Sequence, residues 1–334
     1  MGNFISGTSS PKEHTTRARR PTRNGRIAPT QPITSATKLA GVFGWPVEHS
    51  LSPQMHNAAL REAELPCVYL AFAVQPDRLE DALRGALALG MVGVNLTIPH
   101  KVAALNLMDW LDPEAQALGA VNTVLFQDGR MLGYNTDAVG FAQAMQHEGV
   151  ELANRRSIVY GAGGAARAVV YALLKHRGQV TVINRTLSRA QELKAALADP
   201  ASERSLQVVP MDTPEEEMAL RRADLVINAT SLGMTPNTDT TPLRHPSLLQ
   251  PGSTVVDLVY RPRETRLLRE ARRAGCRTVN GVSMLVHQGA ESFRIWFHVK
   301  RNVAPMQRAV EEALAAEERY SEVSNQAVAG MSDV

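Results

Sequence analysis

Residues 157–166 read Ser-Ile-Val-Tyr-Gly-Ala-Gly-Gly-Ala-Ala, and this stretch decides the fold. Its apolar start predicts a buried strand, and its end matches the pattern G-x-G-x-x-G/A that opens the first helix of dinucleotide-binding βαβ units. Gly161 would make the tight turn, Gly163 would let a pyrophosphate approach the backbone, and Ala166 would let the helix pack closely on the strand. The N–H groups at the start of the helix would hold the anion, and this interpretation is favoured over a tight turn without a ligand.

Short runs rich in valine and isoleucine alternate with helical stretches on both sides of this loop. The alternation is typical of βα units around mainly parallel sheets and predicts the α/β fold class. Strands are predicted at residues 38–43, 91–98, 121–126, 131–134, 157–160, 180–183, 206–210, 225–229 and 254–259. Helices are predicted at residues 54–64, 79–90, 135–148, 167–176, 265–274, 284–299 and 305–318.

These elements predict two domains. Residues 38–136 form the first part of one domain, and residues 137–280 form the second, Rossmann-type domain around the glycine loop. The helices of residues 281–320 have no sheet partner of their own, so we expect them to return and cover the first domain. Residues 321–334 are predicted to be a frayed tail.

Residues 1–37 are predicted to be a disordered basic tail, because they are rich in Ser, Thr, Pro and Gly and lack hydrophobic periodicity. They hold six lysines and arginines against the single acid Glu13, whereas the whole chain has a formal net charge of +3. The rest of the chain is therefore not basic. Residues 1–6 fit the permissive N-myristoylation pattern M-G-x-x-x-[ST], but a solvated tail is favoured over a membrane anchor or a nucleic-acid tether.

Composition indicates a globular protein, since 44% of the residues are hydrophobic. The chain has no apolar run of the roughly 18 residues that span a bilayer and no apolar secretory signal, so the expected location is cytoplasmic. Cys67 and Cys276 are far apart and fit no metal-ligand spacing, which argues against a disulfide or a metal site.

The residues that follow the strand at 180–183 predict the cofactor. An NAD site would have an acidic residue here for the ribose 2′-hydroxyl, but the sequence has Arg185. Arg189 follows one helical turn later, so two guanidiniums can bind a 2′-phosphate. The alternative is that both arginines are ordinary solvent-exposed residues at a helix start. That alternative is disfavoured, because cations at the positive end of a helix dipole are unfavourable unless an anion is bound there. The pattern therefore predicts NADP(H).

Four polar clusters lie at predicted strand ends or helix starts, where ligands bind in open α/β sheets. They are residues 44–57 (GWPVEHSLSPQMHN), 95–101 (NLTIPHK), 119–123 (GAVNT) with 133–137 (GYNTD), and 281–288 (GVSMLVHQ). Singly, each has an ordinary structural interpretation, such as a helix cap at Ser52 or a turn at Asn122. Together they predict a site for a small polyol.

With these motifs, the chain resembles the shikimate dehydrogenase family from Lys38 to about Glu318, and residues 228–234 (NATSLGM), 257–265 (DLVYRPRET) and 284–290 (MLVHQGA) add to the resemblance. The resemblance implies a substrate domain built from both chain ends, with the active site in the cleft beside an NADP-binding domain. It implies reversible NADPH-dependent reduction of 3-dehydroshikimate to shikimate, on the route to chorismate and the aromatic amino acids.

The resemblance also implies roles for individual residues. The catalytic pair falls on Lys101 and Asp137. The residues implied to bind substrate are Ser50, Ser52, Thr97, Lys101, Asn122, Asp137, Tyr260 and Gln288. Those implied to bind the cofactor are Gly161, Ala162, Gly163, Gly164, Ala165, Asn184, Arg185, Thr186, Arg189, Thr230, Leu258, Gly281 and Met284. Leu258 stands where the family commonly has methionine.

Two alternatives compete with this interpretation. A quinate/shikimate or aminoshikimate dehydrogenase would share the fold, although Ser50, Ser52 and the two arginines favour shikimate and NADP. A catalytically idle NADP-binding protein with a basic tail would not need Lys101 and Asp137. The sequence leaves open whether the protein is a monomer or a homodimer.

Overall fold

The computed structural model describes residues 32–197 and 204–332, with side chains described up to residue 320. Most of the predicted basic tail, residues 1–31, lies outside the described residues. The described chain forms two six-stranded sheets, each from one continuous stretch of sequence. This is a mixed α/β fold with mainly parallel strands, as predicted.

The first sheet is mixed and has the strand order β2-β1-β3-β5-β6-β4. Its strands are β1 (Lys38–Gly44), β2 (Cys67–Ala73), β3 (Gly93–Leu96), β4 (Trp110–Leu111), β5 (Thr123–Gln127) and β6 (Arg130–Tyr134). β1 is parallel to β2 and β3, while β5 is antiparallel to β3 and β6. Asp128 and Gly129 both have positive φ, as a type I′ hairpin requires, and they form the turn between β5 and β6.

The second sheet is entirely parallel and has the order β12-β11-β10-β7-β8-β9. Its strands are β7 (Arg156–Tyr160), β8 (Gln179–Asn184), β9 (Leu206–Pro210), β10 (Leu225–Asn228), β11 (Thr254–Asp257) and β12 (Arg277–Val279). Counted from β7, this is the doubly wound order of dinucleotide-binding sheets. Strand order reverses between β7 and β10, so a crevice opens at their carboxyl ends.

Helices cover both sheets. They are α1 (Ser52–Glu62), α2 (Leu79–Ala88), α3 (His100–Ala103), α4 (Pro113–Leu118), α5 (Asp137–His147), α6 (Gly164–Lys175), α7 (Leu187–Leu197), α8 (Pro214–Leu220), α9 (Arg266–Arg273), α10 (Val282–Phe297) and α11 (Ala304–Ser332). The backbone of α11 is helical well beyond Tyr320, where the sequence suggested fraying. Within the described ranges, none of these helices combines the length and apolar character needed to cross a membrane.

The C-terminal helices pack on the first sheet. Val286 and Trp296 of α10 and Val310 of α11 share one buried apolar cluster with Val42 of β1 and Tyr69 of β2. Burying a large apolar side chain contributes roughly 1.5–3 kcal/mol, so this cluster holds residues from both ends of the chain together. The helix that carries the 281–288 cluster is thereby fixed beside the ends of β1 and β3.

Candidate functional site

A cavity of about 210 Å³ opens where β1 and β3 end and α10 begins. It brings together residues from all four polar clusters of the sequence. The cavity is lined by all eight predicted substrate-binding residues: Ser50, Ser52, Thr97, Lys101, Asn122, Asp137, Tyr260 and Gln288. Their donors and acceptors suit a small ligand with a carboxylate and several hydroxyl groups.

Lys101 and Asp137 form an ion pair at the wall of this cavity. Lys101 Nζ lies 2.5 Å from Asp137 Oδ2, and the two side chains are 21% and 6% exposed. Lys101 lies on α3, and Asp137 is the first residue of α5, where the helix dipole favours a negative charge. The burial shields the pair from water, so it differs from a surface ion pair, which contributes about 1 kcal/mol or less.

Asn122 fixes the other carboxylate oxygen. Its Nδ2 donates to Asp137 Oδ1 at 2.8 Å and to Thr136 Oγ1 at 2.9 Å, and its Oδ1 accepts from the backbone N–H of Thr136 at 2.8 Å. Asn122 is almost wholly buried. Both oxygens of Asp137 are therefore engaged before any ligand is present.

The hydroxyl groups around the cavity are neutral donors. Tyr260 faces the cavity from the segment after β11, and burial raises the pKa of its phenol, so it keeps its proton. Ser50 Oγ accepts the backbone N–H of Ser52 at 3.2 Å, which fixes the Ser50 hydroxyl at the start of α1, and both serines line the cavity. Hydroxyls of this kind can donate to one carboxylate.

The predicted glycine loop lies at the crevice of the second sheet. Gly161 has φ +115°, which a side chain would strain, and an added Cβ would lie 3.0 Å from the carbonyl oxygen of Ala229. The same Cβ would lie 3.2 Å from Cγ2 of Thr230, so the loop closely approaches the end of β10. Gly163 faces open space, and no side chain caps α6 there. The first N–H groups of α6 can therefore bind an anion.

The two arginines predicted to bind a 2′-phosphate are also accessible. Arg185 and Arg189 are exposed, and neither forms an ion pair within the part of the chain that the structure describes. The turn that carries them is held by Asn184, whose Nδ2 donates to the carbonyl oxygen of Thr186 at 2.8 Å. The residues present thus fit a dinucleotide with a phosphate on its ribose.

The glycine loop and the polar cavity adjoin. Ala165 of α6 lines the cavity together with Leu258, Gly281 and Met284, all predicted to bind cofactor. A Cβ on Gly164 would lie 3.7 Å from Cδ of Lys101. An added Cβ on Gly281 would lie 2.1 Å from the carbonyl oxygen of Leu258, so only glycine fits there. The start of α6 and the predicted cofactor residues therefore lie beside Lys101, and they would bring a bound dinucleotide next to the polar cavity.

One polar residue of the cavity is absent from the sequence-based set. Asn95 of β3 lines the cavity and is 7% exposed. It belongs to the 95–101 cluster, but its place within a short buried strand did not mark it in the sequence as a residue of the cavity.

Among the described residues, no group of three or more His, Cys, Asp or Glu side chains could hold a metal ion.

A second buried carboxylate lies near the cavity but does not line it. Asp257, at the end of β11, accepts from Asn228 Nδ2 at 2.9 Å, Val259 N at 3.0 Å and Thr265 Oγ1 at 2.6 Å. It is wholly buried, and burial raises its pKa to about 6. Thr265 also caps α9 by accepting from Leu268 N, so this cluster ties β10, β11 and α9 together.

The doubly wound sheet, the glycine loop and the adjoining polar cavity define a dinucleotide-binding α/β protein with a small-ligand pocket. The chain belongs to the shikimate dehydrogenase family. Residues 42–124 match the family model for the shikimate dehydrogenase substrate binding domain, and residues 142–246 match that for shikimate/quinate 5-dehydrogenase. Residues 281–311 match the shikimate 5′-dehydrogenase C-terminal domain.

Individual relatives agree with this membership. The chain is 46% identical to the shikimate dehydrogenase (NADP+) of Symbiobacterium thermophilum, over 83% of this chain and 95% of the relative. The Thermus thermophilus shikimate 5-dehydrogenase, solved with NADP(H) and shikimate, matches with TM-score 0.76 and 41% identity over 83% of this chain and 100% of its own. The Corynebacterium glutamicum quinate dehydrogenase, solved with NAD, matches with TM-score 0.75 and 34% identity over 83% and 99%.

Proposed function

We propose that this protein catalyses the reversible NADPH-dependent reduction of 3-dehydroshikimate to shikimate, and so supplies chorismate and aromatic amino acid biosynthesis. The observation that carries the proposal is the Lys101–Asp137 pair, which faces a polar cavity whose other wall comes from the predicted cofactor residues. Family membership and the NADP-dependent relatives support it.

Lys101 acts on the carbonyl oxygen of the substrate in the reduction. Its ammonium donates a proton to the C3 carbonyl oxygen, or stabilises the developing alkoxide, as the carbon is reduced. Asp137 accepts from the neighbouring substrate hydroxyl and holds Lys101 by the ion pair. In the oxidation of shikimate the same proton returns to Lys101.

The remaining polar residues of the cavity bind and orient the substrate. Ser50 and Ser52 donate to its carboxylate, while Thr97, Asn122, Tyr260 and Gln288 contact the carboxylate and hydroxyl groups. A hydroxyl-rich pocket rejects analogues that leave its buried groups unpaired. Residues 38–136 and 281–320 together form the substrate-binding domain.

Residues 137–280 form the NADP-binding domain, and its bound cofactor supplies the hydride. Gly161 to Ala165 hold the pyrophosphate, and Arg185 and Arg189 bind the 2′-phosphate with help from Asn184 and Thr186. Thr230 contacts the dinucleotide, and Leu258, Gly281 and Met284 form the apolar wall at the nicotinamide. The glycine geometry and the accessible guanidiniums support this assignment.

The second candidate function is a quinate dehydrogenase, which the structural likeness to the Corynebacterium glutamicum enzyme favours. That protein was solved with NAD, whereas Arg185 and Arg189 here favour a cofactor with a 2′-phosphate.

The protein described here acts in the cytoplasm on small molecules, without nucleic-acid or membrane partners.

The test is the reduction of NADP and of NAD by the purified full-length protein, each with shikimate and with quinate, followed by absorbance. We expect fast turnover of shikimate with NADP and little with the other three pairs. Equal turnover of quinate or NAD would contradict the specificity argument but not the family assignment. Absence of turnover with every pair would favour an idle binding protein.

A further inference from the structure

A line of buried hydrogen bonds leads from β2 to the carboxylate of Asp137. Tyr69 Oη donates to Asn95 Oδ1 at 2.7 Å, and Asn95 Nδ2 lies 3.1 Å from Thr123 Oγ1. Thr123 Oγ1 donates to Asn122 Oδ1 at 2.9 Å, and Asn122 Nδ2 donates to Asp137 Oδ1 at 2.8 Å. The line therefore crosses the first sheet from strand to strand.

The orientations of the two asparagine amides in this line are fixed by backbone groups that can only donate or only accept. Asn95 Nδ2 lies 3.2 Å from the backbone carbonyl of Asn122, which can only accept, so the amide NH2 must face β5. Its oxygen then faces Tyr69, which must donate, and burial raises the pKa of that phenol, so the proton is present. Asn122 Oδ1 accepts from the backbone N–H of Thr136, so in its contact with Thr123 the threonine hydroxyl is the donor. Ser292 Oγ, at 2.8 Å, competes for the same hydrogen.

The line is buried, and its first residue is held by several contacts. Tyr69 is 1% exposed and Thr123 is 0% exposed. The Tyr69 ring stacks on His56 at 4.2 Å, and Asn57 bonds both the backbone N–H and the carbonyl of Tyr69. Ser292 of α10 adds a cross-link, with Oγ 2.8 Å from Thr123 Oγ1 and 3.0 Å from Asn95 Nδ2. A buried network whose members are all satisfied orders its groups strongly.

We propose that Thr123 is a positioning residue of the reaction, because its hydroxyl connects the fixed amide of Asn95 to that of Asn122 and so directs the Asn122 NH2 at Asp137. This inference rests on the proposed function. Thr123 does not line the cavity, so it acts through Asn122 and not by contact with substrate. The backbone N–H of Thr136 supports the same orientation of Asn122, which limits the effect of losing one hydroxyl.

The test compares Thr123→Val, which keeps the shape but removes the hydroxyl, with Thr123→Ser, which restores it. For shikimate oxidation by NADP, we expect Thr123→Val to lower kcat about tenfold, as for the loss of one buried hydrogen bond. The KM for NADP should stay within about twofold, because the cofactor wall is untouched. Thr123→Ser should return kcat to within about twofold of the wild type.

The matched control is Tyr160→Phe in the second sheet. Tyr160 is wholly buried, and its hydroxyl donates to Glu216 Oε1 at 2.7 Å. Removing this hydroxyl also costs one buried hydrogen bond, so the thermal midpoint should fall, while kcat should stay at the wild-type value. A fall in kcat as large as that of Thr123→Val would overturn the proposal, because general destabilisation would then explain both variants.

A second readout does not depend on turnover. In the ligand-free protein, NMR should show slow hydrogen exchange at the Asn122 side-chain amide, identified by its loss in Asn122→Asp. We expect slow exchange in the wild type and Thr123→Ser and faster exchange in Thr123→Val. Equal exchange in all three proteins, wild-type kcat in Thr123→Val, or no recovery in Thr123→Ser would overturn the proposal.

Failure of the proposed function has a different signature. The wild type would then turn over no shikimate with NADP, and the kcat comparison would fall away. Faster amide exchange in Thr123→Val alone would still support the direction of the hydrogen bonds, and unchanged exchange would overturn it.

Discussion

Two buried aspartates of this protein share one kind of partner and differ in the others. In both, Oδ1 accepts from an asparagine amide: Asn122 at 2.8 Å for Asp137, and Asn228 at 2.9 Å for Asp257. The Oδ2 of Asp137 meets the ammonium of Lys101, whereas the Oδ2 of Asp257 accepts from the Thr265 hydroxyl. Asp137 thus has a cationic partner and lines a cavity, whereas Asp257 has neither.

The comparison shows how one arrangement serves two purposes. Asp257 is enclosed by neutral donors, and burial raises its pKa to about 6, so it acts as a structural clasp between β10, β11 and α9. Asp137 has a charged partner that is partly open to the cavity, so its surroundings can take part in proton transfer. Burial alone does not distinguish the two carboxylates, whereas the charged partner and the access to the cavity do.

The largest expected effect comes from removing the cation. Lys101→Met keeps an unbranched side chain of nearly the same length but leaves Asp137 with neutral donors, like Asp257. We expect kcat for shikimate oxidation to fall about 10³-fold, the range for loss of a proton-transfer group, with a much smaller change in KM. Steady-state kinetics test this, and a kcat within about tenfold of the wild type would contradict the role of Lys101.

A smaller effect should follow from Asp257→Asn, and it should depend on pH. Because burial raises the folded-state pKa to about 6, the folded protein binds a proton between about pH 4 and 6 that the unfolded chain releases. This contribution to stability is present below about pH 4 and is lost as pH rises through 6. Relative to Asp257→Asn, the wild type should lose about 3 kcal/mol of unfolding free energy between pH 3 and 7.

Denaturant unfolding of both proteins across this range measures the difference. A difference that stays constant with pH would show that Asp257 does not take up a proton on folding. Shikimate oxidation at neutral pH should persist in Asp257→Asn, in contrast to Lys101→Met.

The smallest effect should come from Thr265→Val, which removes one donor from Asp257 and the cap of α9. Loss of the cap and one buried hydrogen bond should lower the free energy of unfolding by about 1–2 kcal/mol. The kcat should change less than about twofold, because the hydroxyl of Thr265 bonds Asp257 and the start of α9 and not the groups that hold Asp137. A large loss of turnover with unchanged stability would place the Asp257 cluster in the reaction and end the distinction.

The second sheet was largely predictable from sequence because local signals define it. The glycine loop, its flanking strand and its helix lie within twenty residues, and β7, β8 and β10 are short apolar runs buried on both faces. The three-residue β12 was missed, since so short a strand carries no periodicity. β2 was also missed: it is an edge strand, and its apolar run does not alternate with polar residues.

The residues that line the cavity could be predicted from the sequence, but the hydrogen bonds that hold them in place could not. All eight residues implied by the family motifs line it. Their supporting partners could not be predicted, because Asn95, Thr123 and Ser292 meet only through strand pairing and the packing of α10. Residues 95 and 292 are 197 positions apart, and no local pattern records such a contact.

The packing of α10 on the first sheet has a consequence for how the chain is made. Trp296 Nε1 donates to the carbonyl of Val124, 172 residues earlier, and the indole lies against Gly93, where a Cβ would be 2.2 Å from Nε1. During synthesis on the ribosome, residues 38–134 emerge well before α10. The face of the first sheet that α10 covers therefore stays exposed while the second sheet is synthesised. Apart from Leu118 and Met284, the buried residues of the two apolar clusters of the second sheet lie between Ala138 and Val279, so the part translated later can complete most of its core before α10 is added.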